Sequence, residues 1–320
     1  MANPTALRRR VRYTSLALAG IALAATAATA CGASTAKGTQ PAAAATATAT
    51  ASASANASSA ASAFVQPSLH MITTGGHKLA FYVTPGHLPA IVLDAGGGLD
   101  ASYWNKIVPT LAKDTGSEII TYDRSGEGRS SDVPGPWRAQ AAAADLAAGL
   151  TQLGATKDVV LVSHSLAGEI ATSFAGQHPQ WVAGAVLVDA SLPEFYTDAE
   201  TAKLVAENEQ QIAALKGQSQ TRETRQLLAE ADNYGPVHLA YHKTSWPESV
   251  PAIAIVSSET PFPTPADAQL WKQAQQQFVN EASNRRLVVA QHSSHDIPVD
   301  RPDVVIAAVQ DLLNRLGPAS

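Results

Sequence analysis

The chain has 320 residues, 45% of them hydrophobic and 15% charged, with 22 Lys and Arg against 27 Asp and Glu and a formal charge of −5. In this balance no basic patch suggests nucleic acid, and nothing suggests binding to an anionic surface. A single cysteine excludes an internal disulfide, the C-x-x-C spacing of zinc sites is absent, and no metal site is expected.

The first thirty residues carry Arg8, Arg9, Arg10 and Arg12, then an apolar run from Leu16 to Ala30 that ends in small residues before Cys31. A basic start, a short apolar middle and a small-residue end describe an export signal, and the run is too short for a comfortable membrane span. Cys31, followed by Gly32, stands where the run gives way to a polar tract. That placement resembles a bacterial lipoprotein signal, which implies lipidation of Cys31 and a lipid anchor as the chain's only membrane contact. Ala28 occupies the position where leucine is usual, so release as an ordinary secreted protein stays open. Residues 32–63 are rich in Ala, Ser and Thr. Few of their side chains are large enough to offset ordering entropy, so a disordered tether is predicted. One folded domain is expected over 64–320.

Ser68–Thr73 and Lys78–Val83 read as two short strands around Thr74-Gly75-Gly76-His77, a hairpin signal. A buried strand over Pro89–Leu93 then opens into Asp94-Ala95-Gly96-Gly97-Gly98, a glycine loop lacking the Gly-Lys-Ser/Thr of a phosphate-binding loop. The spacing predicts a helix over Trp104–Ala112, a strand over Glu118–Tyr122, and a helix over Trp137–Leu153 with Leu146, Leu150 and Leu153 on one face. The segment between the last two is Asp123-Arg124-Ser125-Gly126-Glu127-Gly128-Arg129-Ser130, in which Asp123 and Arg124 read as a structural ion pair. Next come the apolar run Val159–Val162, Ser163-His164-Ser165-Leu166-Ala167-Gly168, and a helical segment from Glu169 to His178. Ser165 thus sits on a strand-to-helix turn whose positions two before and two after are small. Such a turn strains its central residue and aims it at the N-terminus of the next helix, where free N–H groups favour negative charge.

Ala185–Val188 is a further strand, tipped by Asp189. From about Leu192 to Val250 the strand rhythm stops: Ala199–Lys216 and Thr221–Asp232 read as helices, and Tyr234–Pro251 as irregular and aromatic. It resumes at Ala252–Val256, before Ser257-Ser258-Glu259-Thr260. A helix around Ala266–Ala282, a strand over Leu287–Ala290 and a last helix opening near Pro302 complete the chain.

Four of these segments, in this order, resemble the α/β-hydrolase superfamily: the glycine loop, Tyr122-Asp123-x-x-Gly126-x-Gly128-x-Ser130, the small-x-Ser165-x-small elbow, and Ser294-His295-x-Ile297-x-x-Asp300-x-Pro302. Ser163 and Ala167 replace the elbow's usual glycines, and Asp94-Ala95 replaces the usual His-Gly. The resemblance implies an α/β fold with a mostly parallel central sheet flanked by helices, and a helical cap over about 192–250 between strands six and seven. It implies Ser165 as nucleophile, His295 as base, and oxyanion donors at Leu166 and Gly96, with Gly97 close behind. The acid is Asp189, after strand six, or Glu259, after strand seven; the first requires no shift of register.

An imidazole held in one tautomer by a carboxylate is what a serine hydroxyl needs in order to react at neutral pH. His292 is the nearest rival to His295, and a metal pair of the two lacks a third spaced ligand. His164 points away from Ser165. Phe195, Tyr196, Tyr241 and Trp246 would line an acyl pocket or pack as ordinary core. The expected activity is hydrolysis of a small-molecule carboxylic ester without metal or organic cofactor. An amidase or a cofactor-free perhydrolase would use the same residues, and a non-catalytic binding protein would keep the pocket without turnover. A serine at the elbow argues against dehalogenases and epoxide hydrolases, which attack with a carboxylate.

Overall fold

The computed structural model describes residues 17–18, 21–22, 65–132, 135–217 and 219–317. Cys31 and the Ala/Ser/Thr tract lie outside the described residues, as does most of the apolar run before them; Ala17–Leu18 and Ile21–Ala22 form a two-residue antiparallel pair. No described helix is long and apolar enough to cross a membrane.

Eight strands make one sheet: β1 (Ser68–Thr74), β2 (His77–Thr84), β3 (His87–Asp94), β4 (Ser117–Asp123), β5 (Val159–His164), β6 (Val182–Val188), β7 (Ala252–Ser257) and β8 (Arg285–Ala290). Their spatial order is β8-β7-β6-β5-β3-β4-β2-β1. β1 and β2 form the predicted hairpin and β2 runs antiparallel to β4, whereas every other neighbouring pair is parallel. Parallel neighbours need crossovers, and helices supply them on both faces. A strand covered on both faces is apolar at every position rather than at every second one, which is why β5 reads as an uninterrupted run. Val159 and Leu161 enter one core, with Leu146, Leu150, Ile170 and Phe174. Val160 and Val162 enter the other, with Trp104, Leu111, Val305 and Val309.

The helices are α1 (Val108–Thr115), α2 (Ala139–Leu153) and α3 (Ala167–Gln177), then α4 (Asp198–Lys216), α5 (Arg222–Ala231) and α6 (Tyr234–Tyr241), and finally α7 (Pro265–Asn280), α8 (Ile297–Asp300) and α9 (Pro302–Leu316). Two of them correct the sequence reading. The helix expected from Trp104 is divided: Asp100 caps a short 3-10 turn over Ala101–Trp104 by accepting from the Ser102 N–H, and α1 begins only at Val108, with Pro109 in its first turn. The stretch from Tyr234, read as irregular, opens with the eight-residue helix α6. Its Gly235-Pro236 pair lies in the first turn, where a missing N–H costs nothing.

Between β6 and β7, α4, α5 and α6 cover the carboxyl ends of the strands. Thr197 and Thr221 cap the first two by accepting from Glu200 N and Thr224 N. Arg222 straps α5 to the loop after β4: its Nε donates to Asp132 Oδ1 at 2.5 Å, its Nη1 to the Gly128 carbonyl at 2.6 Å, and its Nη2 to the Ser130 carbonyl. The Trp137 N–H adds a bond to the Ala229 carbonyl at 2.9 Å.

Candidate active site

Ser165 follows β5 with φ +54°, the left-handed conformation that a strand-to-helix elbow imposes. A non-glycine residue held there costs on the order of 1–3 kcal/mol, so surrounding bonds must fix it. They do: Ser165 N donates to the Val188 carbonyl at 3.2 Å, and Ser191 N donates to the Ser165 carbonyl at 2.9 Å. The room the elbow needs is found at Gly168, one residue beyond the small position singled out in the sequence. A Cβ on Gly168 would stand 2.5 Å from the Ser191 carbonyl oxygen and 2.8 Å from Ala190 Cβ. Ala167 opens α3, directing the helix N-terminus at the serine.

His295 reaches Ser165 from the loop after β8. Its Nε2 lies 2.9 Å from Ser165 Oγ, and its Nδ1 lies 2.7 Å from Asp189 Oδ2. A carboxylate only accepts, so the proton sits on Nδ1 and the Nε2 lone pair faces the serine hydroxyl. Asp189 also has positive φ, +42°, and is fully buried. Burial alone would raise its pKa. The value is instead lowered, because His295 Nδ1, Ser257 Oγ at 2.7 Å, Ser257 N at 3.1 Å and Trp271 Nε1 at 2.9 Å all donate to it. Glu259 makes no such contact: its side chain is exposed, and only its backbone is engaged, with Ser257 Oγ and the Ser293 carbonyl. His292 is likewise exposed, on left-handed backbone.

His164 is placed where the sequence gave no hint of a role. Its Nε2 donates to the His295 carbonyl at 3.0 Å, and its ring lies against those of His295 and Tyr103, at centroid separations of 4.7 and 5.1 Å. Burial, then the neighbouring His295, depress its pKa to about 3, so it is a neutral strut. Tyr103 donates in turn to Asp296 Oδ1 at 3.1 Å, pinning the residue after His295.

The glycine loop meets the elbow from β3. A Cβ on Gly96 would lie 2.9 Å from His164 Nδ1 and 3.2 Å from Ser165 Cβ, so only glycine allows this approach. No described group accepts from the N–H of Gly96, Gly97 or Leu166. The predicted pair of Asp123 with Arg124 is not formed. Arg124 turns inward and donates to Asp94 Oδ1 at 2.5 Å and to the carbonyls of Ala95 and Gly96. Asp94, in the place of the usual histidine, also accepts from Tyr122 Oη at 2.6 Å. Asp123 instead accepts from Tyr82 Oη, Ala101 N and Arg129 N at 2.8–2.9 Å, bracing the turn after β4. Adjacent residues at a strand end point to opposite sides, so neighbours in sequence are poor partners for each other.

Of the four cap aromatics, Trp246 lies in the sheet core against Phe278. Phe195 packs on Phe262 and Trp271, while the hydroxyls of Tyr196 and Tyr241 donate to Ser191 Oγ and the Ser191 carbonyl at 3.1 and 2.9 Å. One sequence expectation, that zinc-site spacings are absent, is corrected here: the His-x-x-x-His spacing is present at His238 and His242 on α6. Both rings are committed elsewhere: His238 to Glu169 and the Tyr234 carbonyl, His242 to the Pro193 carbonyl. Among the described residues no group of three or more His, Cys, Asp or Glu is gathered as a metal would require.

Comparison with known proteins adds to this geometry. An esterase from the thermophile Thermogutta terrifontis is 20% identical, with a TM-score of 0.53 over 78% of this chain and all of that one. A hydrolase from Pseudomonas aeruginosa is also 20% identical, with a TM-score of 0.54 over 76% of this chain and 97% of that one. At such identities the likeness speaks to fold alone. An uncharacterized protein of Mycobacterium tuberculosis is 37% identical over 127 residues, 39% of this chain, so the match spans about a third of that relative's length, 35%. The uncharacterized protein YqjL of Bacillus subtilis is 25% identical over 231 residues, 69% of this chain and 82% of its own. The sequence model of the alpha/beta hydrolase family matches residues 91–308, a span that runs from the glycine-loop strand through Ser165, Asp189 and His295 into the last helix. The sheet order, the elbow and that match lead to one conclusion: the chain belongs to the alpha/beta hydrolase family.

Proposed function

We propose that the protein is a serine hydrolase that cleaves carboxylic esters through an acyl-enzyme intermediate. The observation that carries this reading is the unbroken hydrogen-bonded line from Ser165 Oγ through His295 to Asp189, with contacts of 2.9 and 2.7 Å. Ser165 Oγ attacks the ester carbonyl carbon while its proton passes to His295 Nε2. Asp189 keeps the other ring nitrogen protonated and stabilises the imidazolium that forms. The oxyanion accepts from the N–H groups of Leu166 and Gly96, with Gly97 next in line; one such donor typically accounts for about 10²–10³ in turnover. His295 then gives its proton to the departing alcohol. Water, deprotonated by the same nitrogen, releases the acid and restores Ser165.

A fluorophosphonate probe tests the nucleophile. Stoichiometric labelling at Ser165, lost in His295→Ala, is the expected result; an unlabelled folded protein would identify a binding protein instead. A panel of matched esters, amides and peroxide acceptors separates an esterase from an amidase or a perhydrolase. Export with lipidation at Cys31 is a separate proposal resting on the sequence. Mass spectrometry of the mature N-terminal peptide checks it, a diacylglyceryl-modified Cys31 being expected and an unmodified start elsewhere contradicting it.

A further inference from the structure

Three buried carboxylates have no part in the reaction above. Glu127, Glu169 and Glu230 each keep one oxygen without a hydrogen-bond partner: Oε1 of Glu127 and Oε2 of the other two. Glu169 lies in the first turn of α3, four residues after Ser165. Glu230, from α5, is 6% exposed and aims its free oxygen at the oxyanion loop. A Cβ placed on Gly97 would lie 3.6 Å from Glu230 Oε2 and 3.3 Å from Leu166 Cδ2, so one point in space touches both that carboxylate and the residue after the nucleophile.

The neighbouring charges are already matched. Arg124 is taken by Asp94 and two carbonyls. His238 donates from Nδ1 to the Tyr234 carbonyl at 2.7 Å and places Nε2 3.1 Å from Glu169 Oε1, so Glu169 already has an imidazole as its partner. Glu127 has its pKa raised by burial, which the charges of Arg124 and Arg222 only partly oppose. Among the described residues the one side-chain hydrogen bond to Glu230 comes from the neutral Gln226 amide at 3.1 Å. Its pKa is raised to about 7, first by burial, with Glu127 and Glu169 adding to the effect and Gln226 and Arg124 opposing it. A bare carboxylate next to the oxyanion loop opposes the charge that hydrolysis develops there; a bound cation removes that penalty.

We propose that Glu230 Oε2 receives a protonated amine on the substrate, making this a hydrolase for esters that carry an ammonium group near the scissile bond. This inference rests on the serine-hydrolase reading. Ser165 itself is only 3% exposed, so binding of such a substrate requires a path to open to the nucleophile and the carboxylate alike.

The test uses ester pairs that differ only by an ammonium in place of a terminal methyl: 4-nitrophenyl 6-aminohexanoate against the heptanoate, and 4-(aminomethyl)phenyl acetate against 4-ethylphenyl acetate. In the full-length wild type, at least one ammonium ester is expected to show kcat/KM about ten-fold or more above its isostere, the scale of a charge-assisted hydrogen bond. That ratio should fall to about one in Glu230→Gln. Being a ratio within one variant, it is insensitive to the fraction of folded enzyme. A second measurement needs no variant: hexylammonium should inhibit wild type about ten-fold more strongly than 1-hexanol. Ratios near one for both pairs, a preference unchanged in Glu230→Gln, or equal inhibition by the alcohol would each overturn the proposal. Turnover of the plain esters without ammonium preference refutes this inference alone, whereas no turnover and no phosphonate labelling of Ser165 removes the hydrolase reading with it.

Discussion

Replacing Asp189 by Asn separates the carboxylate's electrostatic work from its packing. The side chain accepts from four donors, two per oxygen. Ser257 N and Trp271 Nε1 meet Oδ1; Ser257 Oγ and His295 Nδ1 meet Oδ2. A backbone amide and an indole cannot reverse their polarity, so the Asn oxygen must take their side and its NH2 must face the other two. Ser257 Oγ can adapt, because the Glu259 carbonyl stands 2.9 Å away as a second acceptor for its proton. His295 adapts only by moving its proton from Nδ1 to Nε2, which leaves a donor facing the serine hydroxyl and no base. The variant should therefore lose little stability, about 1–2 kcal/mol. It should lose about 10³–10⁴ in kcat, with KM nearly unchanged. Turnover of 4-nitrophenyl butyrate, urea unfolding and the rate of phosphonate labelling measure the three quantities. If Asp189→Asn keeps more than about a tenth of wild-type kcat while Glu259→Gln does not, the tautomer argument is wrong and the acid lies after β7.

Gly96→Ala adds a methyl 2.9 Å from His164 Nδ1, so the oxyanion loop must retreat; kcat is expected to fall by about 10² with circular dichroism unchanged, and an unaffected rate would show that the Gly96 N–H is not a donor. Arg124→Met leaves Asp94 as an uncompensated buried charge and should cost about 3–5 kcal/mol by denaturant titration. Arg124→Lys keeps the charge but cannot serve Asp94 and two carbonyls together. It should unfold at higher denaturant than Arg124→Met while losing about ten-fold or more in kcat. Stability should also depend on pH with a defined sign. Glu230 and Glu194 are both raised to about 7, chiefly by burial, so they bind protons more tightly folded than unfolded. Their contribution is fully present below about pH 4 and is lost as pH rises through 7, by at most about 3 kcal/mol each. Asp189, held low, acts in the opposite sense: its contribution is present above about pH 4 and is lost only as pH falls further. Urea midpoints should thus be greatest near pH 5, decline by pH 8, and decline less in Glu230→Gln; a flat profile in wild type would contradict this.

Much of the scaffold was legible because parallel strands covered on both faces announce themselves as apolar runs, and Ser165 stood out as a serine between small residues where a run ends. The partners of buried charges were not legible. Arg124 and Asp94 are thirty positions apart and meet only because β3 and β4 pair in register, Val92 against Ile120 and Leu93 against Thr121. Asp189 and Glu259 follow strands of the same kind, and nothing local ranks them. Asp189 is distinguished by donors supplied from Ser257 on β7 and Trp271 on α7, residues that carry no signal of their own. His164 shows the same limit: its place in the elbow is visible in the sequence, but the acceptor that gives it a purpose is 131 positions away. The α6 helix was missed because Gly-Pro reads as a break wherever it occurs, and only its position in the first turn makes it harmless.

Pairing of His164 with Val188 in the β5–β6 ladder makes Ser165 and Asp189 the next residues out on adjoining strands, separated by one inter-strand step of roughly 4.8 Å. The distance between those two residues is therefore inherited from backbone pitch and does not depend on the length or sequence of any loop. The turn leaving β7 is thereby released from carrying charge, provided its first serine is kept. Insertions from residue 259 onward can remodel the neighbouring rim while Ser165 and Asp189 stay in register.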